Sequence, residues 1–519
     1  MTTIDRCPID HLRLARRRLY HHLSDRVESD GAIRDRCGSR ILESALLLDL
    51  LRKERTRGDA QEALTSFLRR ARPDGVLDTA VAAAATGRPM TDGEVRSHLD
   101  GFRHFTGARK LTLLETLLAT LGALPFSDCA DPGDVPHEEQ AVWTEVTLRA
   151  VRILHAAHRG RDFPDLDADR RRLIASLRSF AADAVWQGNA LAHLIALHAL
   201  HTYQPGSTLL RDGLLALVRT ANPDGGMPFI AGQEVFVTAL AGTALAGTGD
   251  PDAVVPRMAT YVADRQLADG GWGYDETTTQ SDVDDASRCT VLLRLATPDT
   301  HRRQLRRADD YLLGMADATG GWPTYVRGHV PEPDVTAVAV LALVAEPRRH
   351  MAALEQGANH LLDSQREDGT WQQSWTLSES SVIGHAVEAL DRTQAHVPQV
   401  PRSRISSATA KAVQRLVLTQ NSDGGWGQRQ GAASDALSTA QALPTVVRHG
   451  PEDAADRAIA HLLEQQEPDG AFTSPADQVG PRPLPFDFPV LAGIQALTAL
   501  NAAAETRRDG RLRQTAVGR

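Results

Sequence analysis

The sequence has little that would suit a secreted, membrane-spanning or nucleic-acid-binding protein. Its four cysteines are scattered over 519 residues without a C-x-x-C pair, which argues against a disulfide framework and a cysteine zinc site. The N-terminus lacks the apolar core of a signal peptide, and no run of about 18 uncharged apolar residues occurs that could form a transmembrane helix. The net charge of -9 disfavours a general nucleic-acid binder. We therefore expect a soluble cytoplasmic protein, either a monomer or a homodimer.

The second half of the chain contains a repeated turn sequence. Copies of the pattern Gln-x-x-Asp-Gly-Gly-Trp, some of them degenerate, follow one another at intervals of 45 to 55 residues. They end at Trp272, Trp322, Trp371, Trp426 and Phe472, with a weaker copy at Met227. An amphipathic helix pattern precedes each turn, and a more apolar helix pattern follows it. The repeat predicts an all-α fold in which helical hairpins close into an α/α toroid, with the apolar helices inside and around a cavity.

Acidic residues lie at the predicted start of each inner helix, so the loops should gather them at one rim of the cavity. Three of them suit a helix N-cap: Asp334, Asp435 and Asp487. The segment 281–290, SDVDDASRCT, differs because Asp282, Asp284 and Asp285 are crowded together there. One cap needs one carboxylate, and close carboxylates repel one another. The cluster therefore suits either a bound cation or a proton that is retained at neutral pH.

Residues 282–285 resemble the DxDD motif of class II terpene cyclases. The turn sequences resemble the QW repeats of the same superfamily, which includes squalene–hopene cyclases and bacterial diterpene and drimane-type cyclases. These motifs lie within about residues 210–500. The resemblance implies two α/α barrels, named β and γ, with the active site between them. It also implies that residues 1–40 join the β barrel formed by 251–519, and that 41–250 form the γ-like barrel.

The resemblance implies a proton-transfer chemistry for the acid cluster. Class II cyclases protonate an alkene, which is a very weak base, so the acid must be strong and already protonated. By the family pattern Asp284 donates the proton, while Asp282 and Asp285 orient it and hold the shared proton. Repulsion among the carboxylates keeps one proton in the cluster, and the helix N-terminus stabilises the anion left behind. A Mg²⁺ site that ionises a diphosphate would need a second acidic motif, which we do not find, so the product should keep its diphosphate.

Aromatic residues in the rim loops are candidates for the substrate-binding wall, because aromatic faces stabilise cations by about 0.5–2 kcal/mol per contact. The candidates are Tyr325, Trp375, Phe486 and Phe488. The segment 102–122 resembles a basic helix of the family and supplies candidates for binding the diphosphate. These are Arg103, Arg109 and Lys110. His329, near the rim, is a candidate hydrogen-bond partner of the acid cluster or terminal base, with an exposed loop histidine as the simpler interpretation. Core packing of the aromatic residues and a solvated face for the basic ones are the alternatives, and the repeat tryptophans are expected to be structural wedges.

A Mg²⁺ ion is implied as the cofactor, because the segment 224–240 resembles a γ-barrel segment in which Met-Pro and a downstream Glu follow an acidic Mg²⁺ motif. That acidic motif is reduced to one residue here, so Asp224 and Glu234 are the candidate metal or diphosphate ligands. Carboxylate oxygens are ligands that Mg²⁺ prefers. Glu138 and Glu139 are alternatives, although a charge pair at a helix start is the simpler interpretation.

The predicted activity is a proton-initiated bicyclisation of a linear isoprenyl diphosphate. A segment typical of labdane-forming cyclases is replaced at 37–54 by CGSRILESALLLDLLRKE. This favours farnesyl diphosphate and a drimane-type product over geranylgeranyl diphosphate and a labdane-type one. Two other classes are open. A protein prenyltransferase β subunit would need zinc, for which the Asp-x-Cys sequences at 5–7 and 35–37 have the spacing but lie outside the repeats. A non-catalytic toroid would be expected to have lost the acid cluster.

Overall fold

The computed structural model describes residues 9–73, 75–87, 106–160, 163–250, 252–480 and 484–517. Within these residues the chain is mainly helical, which confirms the predicted all-α class. The helices in chain order are α1 (Ile9–Ser24), α2 (Ile41–Lys53), α3 (Gly58–Arg70), α4 (Gly75–Ala85), α5 (Gly107–Thr120), α6 (Val142–Arg159), α7 (Leu166–Arg178), α8 (Ala190–His201), α9 (Thr208–Thr220), α10 (Glu234–Ala246), α11 (Val255–Ala263), α12 (Val283–Ala296), α13 (Arg302–Met315), α14 (Pro333–Leu343), α15 (Pro347–Ser364), α16 (Glu379–Gln394), α17 (Arg402–Thr419), α18 (Ala436–His449), α19 (Glu452–Gln465) and α20 (Val490–Val517).

Two short antiparallel ladders also occur among the described residues. One pairs β1 (Ser39–Arg40) with β2 (Met227–Pro228), and the other pairs β3 (Gln478–Val479) with β4 (Pro485–Phe486). Among the described helices, none is both long enough and apolar enough to cross a membrane.

Six helices form the inner ring of a barrel in the second half of the chain. Each packs against its neighbours in the order α10, α12, α14, α16, α18, α20, and α20 closes the ring against α10. A second ring, made of α11, α13, α15, α17, α19 and α1, packs around the outside. The inner helices are rich in small and aliphatic residues, so they can be buried on several sides, whereas the outer helices keep an exposed polar face. The double ring is the predicted α/α toroid.

The repeated turns join each outer helix to an inner helix through the same set of contacts. The indole N–H of each repeat tryptophan donates to the carbonyl ten residues earlier, as from Trp272 to Val262 at 2.7 Å. A glycine in the turn adopts positive φ, which is 99° at Gly270. A Cβ there would lie 2.5 Å from the carbonyl oxygen of Arg307 on the next outer helix, so only glycine fits. The turns therefore lock neighbouring hairpins together.

Helix α1 takes the sixth outer position although it lies far from its neighbours in sequence. The side chain of Gln466 in the last turn donates to the carbonyl of Ala15 on α1 at 3.0 Å, as equivalent glutamines do in other turns. Gly31, with a φ of 95°, approaches the carbonyl of Arg257 on α11 as the repeat glycines approach theirs. The segment 28–33, ESDGAI, is thus a further copy of the turn. It was not predicted, because isoleucine replaces the tryptophan.

The first half forms a second, less regular group of helices. Helix α2 packs against α3, α4, α8 and α9, and α6 packs against α5, α7 and α8. Several hydrogen bonds join this group to the rim of the barrel, and two of them show where the groups meet. The N–H of Val142 donates to Gln280 Oε1 at 2.7 Å, and the hydroxyl of Tyr274 donates to the carbonyl of Gln187 at 2.7 Å. The two groups therefore meet at the rim loops, where the inner helices begin.

The division of the chain into 1–40, 41–250 and 251–519 stays a prediction. Helix α1 packs in the outer ring of the barrel, whereas Ser39 and Arg40, at the end of the same segment, pair with β2. Helix α10 belongs to the inner ring as well, so the packing favours a boundary before Glu234.

Candidate active site

A cavity of about 90 Å³ lies where the two helical groups meet, at the N-terminal end of α12. The carboxyl groups of Asp282, Asp284 and Asp285 line it. Aromatic side chains from both helical groups form much of the remaining wall: Trp143, Phe229, Phe236, Tyr274, Tyr325, Trp375 and Phe486. The structure thus brings the predicted acids and three of the predicted aromatic residues into one cavity.

Asp282 is the N-cap of α12 and is held there by backbone contacts. Its N–H donates to the carbonyl of Trp272 at 2.9 Å, and its Oδ1 accepts from the N–H of Asp285 at 2.8 Å. Asp282 and Asp285 are only 2% and 4% exposed. One further oxygen on each, Asp282 Oδ2 and Asp285 Oδ1, is buried without a hydrogen-bond partner. Two buried carboxyl groups with unpartnered oxygens suit a site that holds a proton.

Burial and mutual repulsion favour the protonated forms of these two acids. Burial raises the pKa of Asp282 to about 7; hydrogen bonding with Asp285 opposes the rise, and the charge of Asp284 adds to it. Burial, followed by the charges of Asp282 and Asp284, raises the pKa of Asp285 well above its ordinary range. At neutral pH the pair therefore retains at least one proton, as an alkene-protonating cluster requires.

Asp284 is the most exposed acid of the three, with 27% of its side chain accessible. It lines the aromatic cavity and also a second cavity of about 90 Å³ deeper in the barrel. Its Oδ1 accepts a hydrogen bond from Arg288 Nε at 3.1 Å, one helical turn further along α12. Arg288 is not among the residues predicted from sequence, although its four-residue spacing from Asp284 on a predicted helix is a usable signal.

One predicted N-cap, Asp435, is confirmed, and another, Asp334, is wrong. Asp435 is the N-cap of α18, as predicted, and its Oδ1 accepts from the N–H of Ser438 at 2.7 Å. On α14 the N-cap is Glu332, so the capping prediction for Asp334 is wrong by two residues. Asp334 instead takes the position equivalent to Asp284 and lines the deeper cavity. Burial, together with the charges of Glu332 and Asp284, raises the pKa of Asp334 to about 7.

Asp35 hydrogen-bonds the start of α20, where Asp487 was predicted to be the cap. Asp35 Oδ2 accepts from the N–H of Val490, the first residue of that helix, at 2.8 Å. In the same segment Cys37 is 1% exposed, and burial raises the pKa of its thiol to about 11. Asp35 and Cys37 therefore serve the packing of the barrel and do not present a pair of zinc ligands, which weighs against the prenyltransferase class. The other Asp-x-Cys sequence, at 5–7, lies outside the described residues.

Tyr325 and Trp375 lie edge to face in the wall of the cavity, with ring centroids 5.8 Å apart. The indole N–H of Trp375 donates to Thr324 Oγ1 at 3.0 Å and to Glu332 Oε2 at 3.1 Å, and these bonds fix the plane of the ring. Trp143, from the other helical group, lies 6.3 Å from Tyr325 in a second edge-to-face contact. Rings with fixed planes around a cavity can stabilise a carbocation without reacting with it.

Phe486 lines the cavity, but Phe488 packs behind it. Phe488 is fully buried, and its ring lies edge-on to that of Phe486 with centroids 6.3 Å apart. It is not among the residues that line the cavities at the acids. Phe488 therefore supports the wall from the core, which is the packing alternative considered for it.

Tyr274 and Trp143 line the cavity but are not among the predicted residues. Tyr274 follows a repeat tryptophan by two residues, much as Tyr325 and Trp375 follow theirs by three and four. That spacing is a usable signal, because it places each ring in the loop at the rim. Trp143 lies at the start of α6, where no repeat marks its position, so the sequence offers no comparable signal.

Arg109 and Lys110 on α5 line a small cavity of about 40 Å³ that shares three aromatic residues with the acid cavity. His329 lines the same small cavity. Arg109 Nη1 donates to Gln140 Oε1 at 2.6 Å, and burial lowers the pKa of the Arg109 guanidinium. Two predicted diphosphate-binding residues therefore lie next to the aromatic cavity. The third, Arg103, lies outside the described residues.

Asp224 and Glu234 do not form a common metal site. Asp224 is exposed, and its Oδ1 accepts from Ser39 Oγ at 2.7 Å and from the N–H of Gly226 at 2.9 Å. Glu234 begins α10 near Asp275, where burial and that charge raise the pKa of Glu234 to about 7. Within the part of the chain that the structure describes, neither residue belongs to a group of three metal-ligating side chains. The predicted ligands therefore provide no ready-made Mg²⁺ site.

The alternative ligands, Glu138 and Glu139, lie in the turn before α6. Glu138 is exposed and pairs with Arg172. Glu139 is exposed and takes a left-handed backbone conformation with a φ of 55°. Neither lines the cavities at the acids. The surface charge pair is therefore the better interpretation of these residues.

Comparison with known proteins places the chain among its relatives. It is 39% identical to a drimenyl diphosphate synthase of Streptomyces showdoensis, over 97% of this chain and 96% of that protein. It is 35% identical to a drimenyl diphosphate synthase of Streptantibioticus cattleyicolor, over 95% of each chain. The structure of an ent-copalyl diphosphate synthase from Streptomyces platensis shares the fold, with a TM-score of 0.59 and 18% identity over 95% of this chain and 99% of that one. A scan against protein-family models found no match. The identity to the first two proteins, over nearly their whole length, shows that the chain belongs to the class II terpene cyclases.

Proposed function

We propose that this enzyme protonates the terminal alkene of farnesyl diphosphate and closes two rings while the diphosphate stays on the product. The observation that carries this proposal is the buried cluster of Asp282, Asp284 and Asp285, with unpartnered carboxyl oxygens, in the wall of an aromatic cavity. Both full-length relatives are named for a drimenyl diphosphate, which supports the C15 substrate over its C20 homologue.

Asp284 donates the proton in this mechanism, because it is the least buried acid of the cluster and reaches the cavity. The electron pair of the terminal alkene takes the proton, and the next double bond attacks the resulting cation. A second attack closes the second ring, and loss of a proton ends the reaction. The Asp284 carboxylate left behind is stabilised by Arg288 at 3.1 Å and by the N-terminal end of α12. Asp282 and Asp285 hold the shared proton before the reaction and supply it to Asp284, so one proton leaves the cluster in each turnover.

The aromatic wall supplies the remaining requirements of a carbocation reaction. Tyr325 and Trp375 present fixed rings to the path of the cation, and each such contact contributes about 0.5–2 kcal/mol. A C15 chain is larger than the cavity at the acids, which shares Phe236 and Trp375 with the deeper one. The substrate would therefore extend from the cavity at the acids into the neighbouring cavities of the barrel.

Arg109 and Lys110 are the proposed contacts of the diphosphate, since they lie next to the aromatic cavity. Because Asp224 and Glu234 do not converge, no step is assigned to Mg²⁺. The ion would accompany the diphosphate as its counter-ion. Chelation by EDTA is then expected to raise KM and to leave kcat nearly unchanged, and a loss of kcat at saturating substrate would contradict this role.

The test uses purified enzyme incubated separately with farnesyl and geranylgeranyl diphosphate. Products are treated with phosphatase and identified by mass spectrometry, with a parallel sample left untreated to detect the intact diphosphate. A bicyclic C15 alcohol that appears only after phosphatase treatment is the expected result. Cyclisation of geranylgeranyl diphosphate alone would overturn the assignment of farnesyl diphosphate as the substrate. If neither diphosphate is cyclised, the proposed function is overturned.

A further inference from the structure

We propose that Arg288 is a positioning residue that orients the Asp284 carboxyl group and stabilises its anion, and that His385 holds Arg288 in place. This inference rests on the proposed function, a cyclisation that begins with proton transfer from Asp284. It concerns a residue that neither the acid motif nor the repeat pattern marks.

The contacts of Arg288 form a chain across the inner ring of the barrel. Arg288 Nε lies 3.1 Å from Asp284 Oδ1, one helical turn earlier on α12. Arg288 Nη2 lies 3.3 Å from His385 Nε2, on helix α16. The Arg288 side chain is 18% exposed, so little water competes for these bonds. A guanidinium held at both ends leaves the carboxylate that it contacts few alternative orientations.

His385 can accept this hydrogen bond because its ring is neutral. Burial lowers the pKa of His385 well below its ordinary value, and the nearby charge of Arg288 lowers it further. A neutral imidazole offers one nitrogen as an acceptor, whereas an imidazolium has only donors. His385 therefore fixes the guanidinium without adding a second positive charge near the acids.

The other charged groups around Arg288 have partners of their own. On α14, Asp334 accepts from the N–H groups of Val335 and Ser374 at 3.0 and 3.3 Å. In the loop before β3, Asp477 accepts from Ser378 N–H at 2.8 Å. The neighbouring helices α10, α18 and α20 present uncharged residues to the same cavity: Leu240, Gln441, Leu491 and Gln495.

Toward the open end of the barrel, Arg288 and His385 also line a larger cavity of about 620 Å³. Its other charged or titratable residues are Arg294, Glu388, Arg392 and His396. Arg392 pairs with Glu388 at 3.1 Å, and Arg294 pairs with Asp309 on α13. Asp284 is therefore the acid that Arg288 contacts directly.

The guanidinium has two effects on catalysis that oppose each other. It stabilises the carboxylate that remains after proton transfer, which accelerates that step. It also favours loss of the proton to solvent. Burial raises the pKa of Asp285, and the positive charge of Arg288 lowers it by a smaller amount. Removal of the charge should therefore slow the reaction while the acid cluster keeps its proton to higher pH. A residue with a purely structural role would not produce this combination.

The experiment compares pH–rate profiles of the wild-type enzyme with those of Arg288→Gln and Arg288→Lys. For Arg288→Gln we expect kcat to fall by at least about tenfold, a KM within about threefold of wild type, and an alkaline limb shifted to higher pH. Arg288→Lys keeps the charge and should restore part of kcat and the wild-type position of the limb. Arg392→Gln is the matched control, because Arg392 lines the larger cavity but does not contact Asp284, and its profile should equal that of wild type.

A second variant guards against a folding defect in Arg288→Gln. His385→Leu removes the acceptor and leaves the arginine, so it should lower kcat in the same direction by a smaller factor. The inference is overturned, while the proposed function stands, if the alkaline limb of the pH–rate profile of Arg288→Gln lies at the same pH as that of wild type. It is also overturned if Arg288→Lys and Arg288→Gln reduce kcat equally. If Arg288→Gln does not fold, an unchanged kcat in His385→Leu overturns the inference. If the wild-type enzyme cyclises neither diphosphate, both proposals fail together.

Discussion

The starts of helices α12 and α18 are built alike and differ in what their acids can do. Asp282 and Asp435 are the two N-caps, and the N–H of each donates to the carbonyl of its repeat tryptophan at 2.9 Å. Each accepts from the N–H three residues later, at 2.8 Å from Asp285 and at 2.7 Å from Ser438. The backbone frame is therefore the same at two points of the ring.

The side chains that follow the caps separate the two sites. Asp435 Oδ2 accepts from the hydroxyl of Ser438 at 2.8 Å, and Oδ1 accepts from Ser474 Oγ at 3.0 Å, so both oxygens have partners. Asp282 Oδ2 has no partner, because Asp285 replaces the serine and offers a carboxyl oxygen instead of a hydroxyl donor. A bound proton is what would satisfy that pair. The same backbone cap therefore holds a fully hydrogen-bonded carboxylate at α18 and an acid pair with unpartnered oxygens at α12, and the residue three positions after the cap makes this difference.

The largest expected effect comes from replacing Asp284, the proposed proton donor. Asp284→Asn should reduce cyclisation by about a thousandfold or more, since an amide cannot protonate an alkene. The measurement is product formed per unit time from farnesyl diphosphate, with the melting temperature as the control for folding. A rate within about tenfold of wild type would contradict the role of Asp284.

A smaller effect should follow when α12 is made to resemble α18. Asp285→Ser supplies a hydroxyl that can donate to Asp282, so the shared proton is no longer needed. We expect about a hundredfold loss of rate, and a gain of about 1–3 kcal/mol in the free energy of unfolding at pH 8, because a buried unpaired acid is removed. Chemical denaturation at that pH measures the gain. A less stable variant would show that the wild-type pair is already satisfied in some other way.

The order of the helices in the barrel could be predicted from sequence, whereas the residues of the cavity wall could be predicted only in part. The turn repeat gave the helix order and placed the acids at one rim, because both depend on local spacing. It did not separate Phe486 from Phe488, since Phe486 reaches the cavity wall by packing against Phe229, which comes from the other half of the chain. The position of Trp143 in the cavity wall depends on the same long-range packing, and so does the separation of Asp224 from Glu234. The first half of the chain has no sequence repeat from which this packing could be predicted.

The pH dependence of stability should report the protonation of Asp282. The pKa of Asp282 is about 7 in the folded chain, against an unfolded value of about 3.9, so the folded state binds more protons between these values. The free energy of unfolding therefore falls as pH rises from about 4 to about 7 and then levels off. Asp282→Asn should flatten this slope, measured by denaturant titrations across the window. An unchanged slope would mean that Asp282 is ionised throughout.

The smallest expected effect belongs to the purely structural cap. Asp435→Ala should cost about 1–2 kcal/mol of stability, through loss of the hydrogen bonds to Ser438, and should change the cyclisation rate by less than about threefold. Thermal denaturation and the rate assay are run on the same preparation. A rate loss comparable to that of Asp284→Asn would contradict the division between the two helix starts.

The most direct test of the central claim is the reaction in deuterium oxide. A cyclisation that begins with proton transfer from the aspartate cluster must place one deuterium from the solvent on the carbon that is protonated first. We therefore expect the drimane-type product, analysed by mass spectrometry after phosphatase treatment, to be one mass unit heavier than the product formed in ordinary water. A product without deuterium, accompanied by free diphosphate before phosphatase is added, would show that the reaction begins with ionisation and would contradict the account.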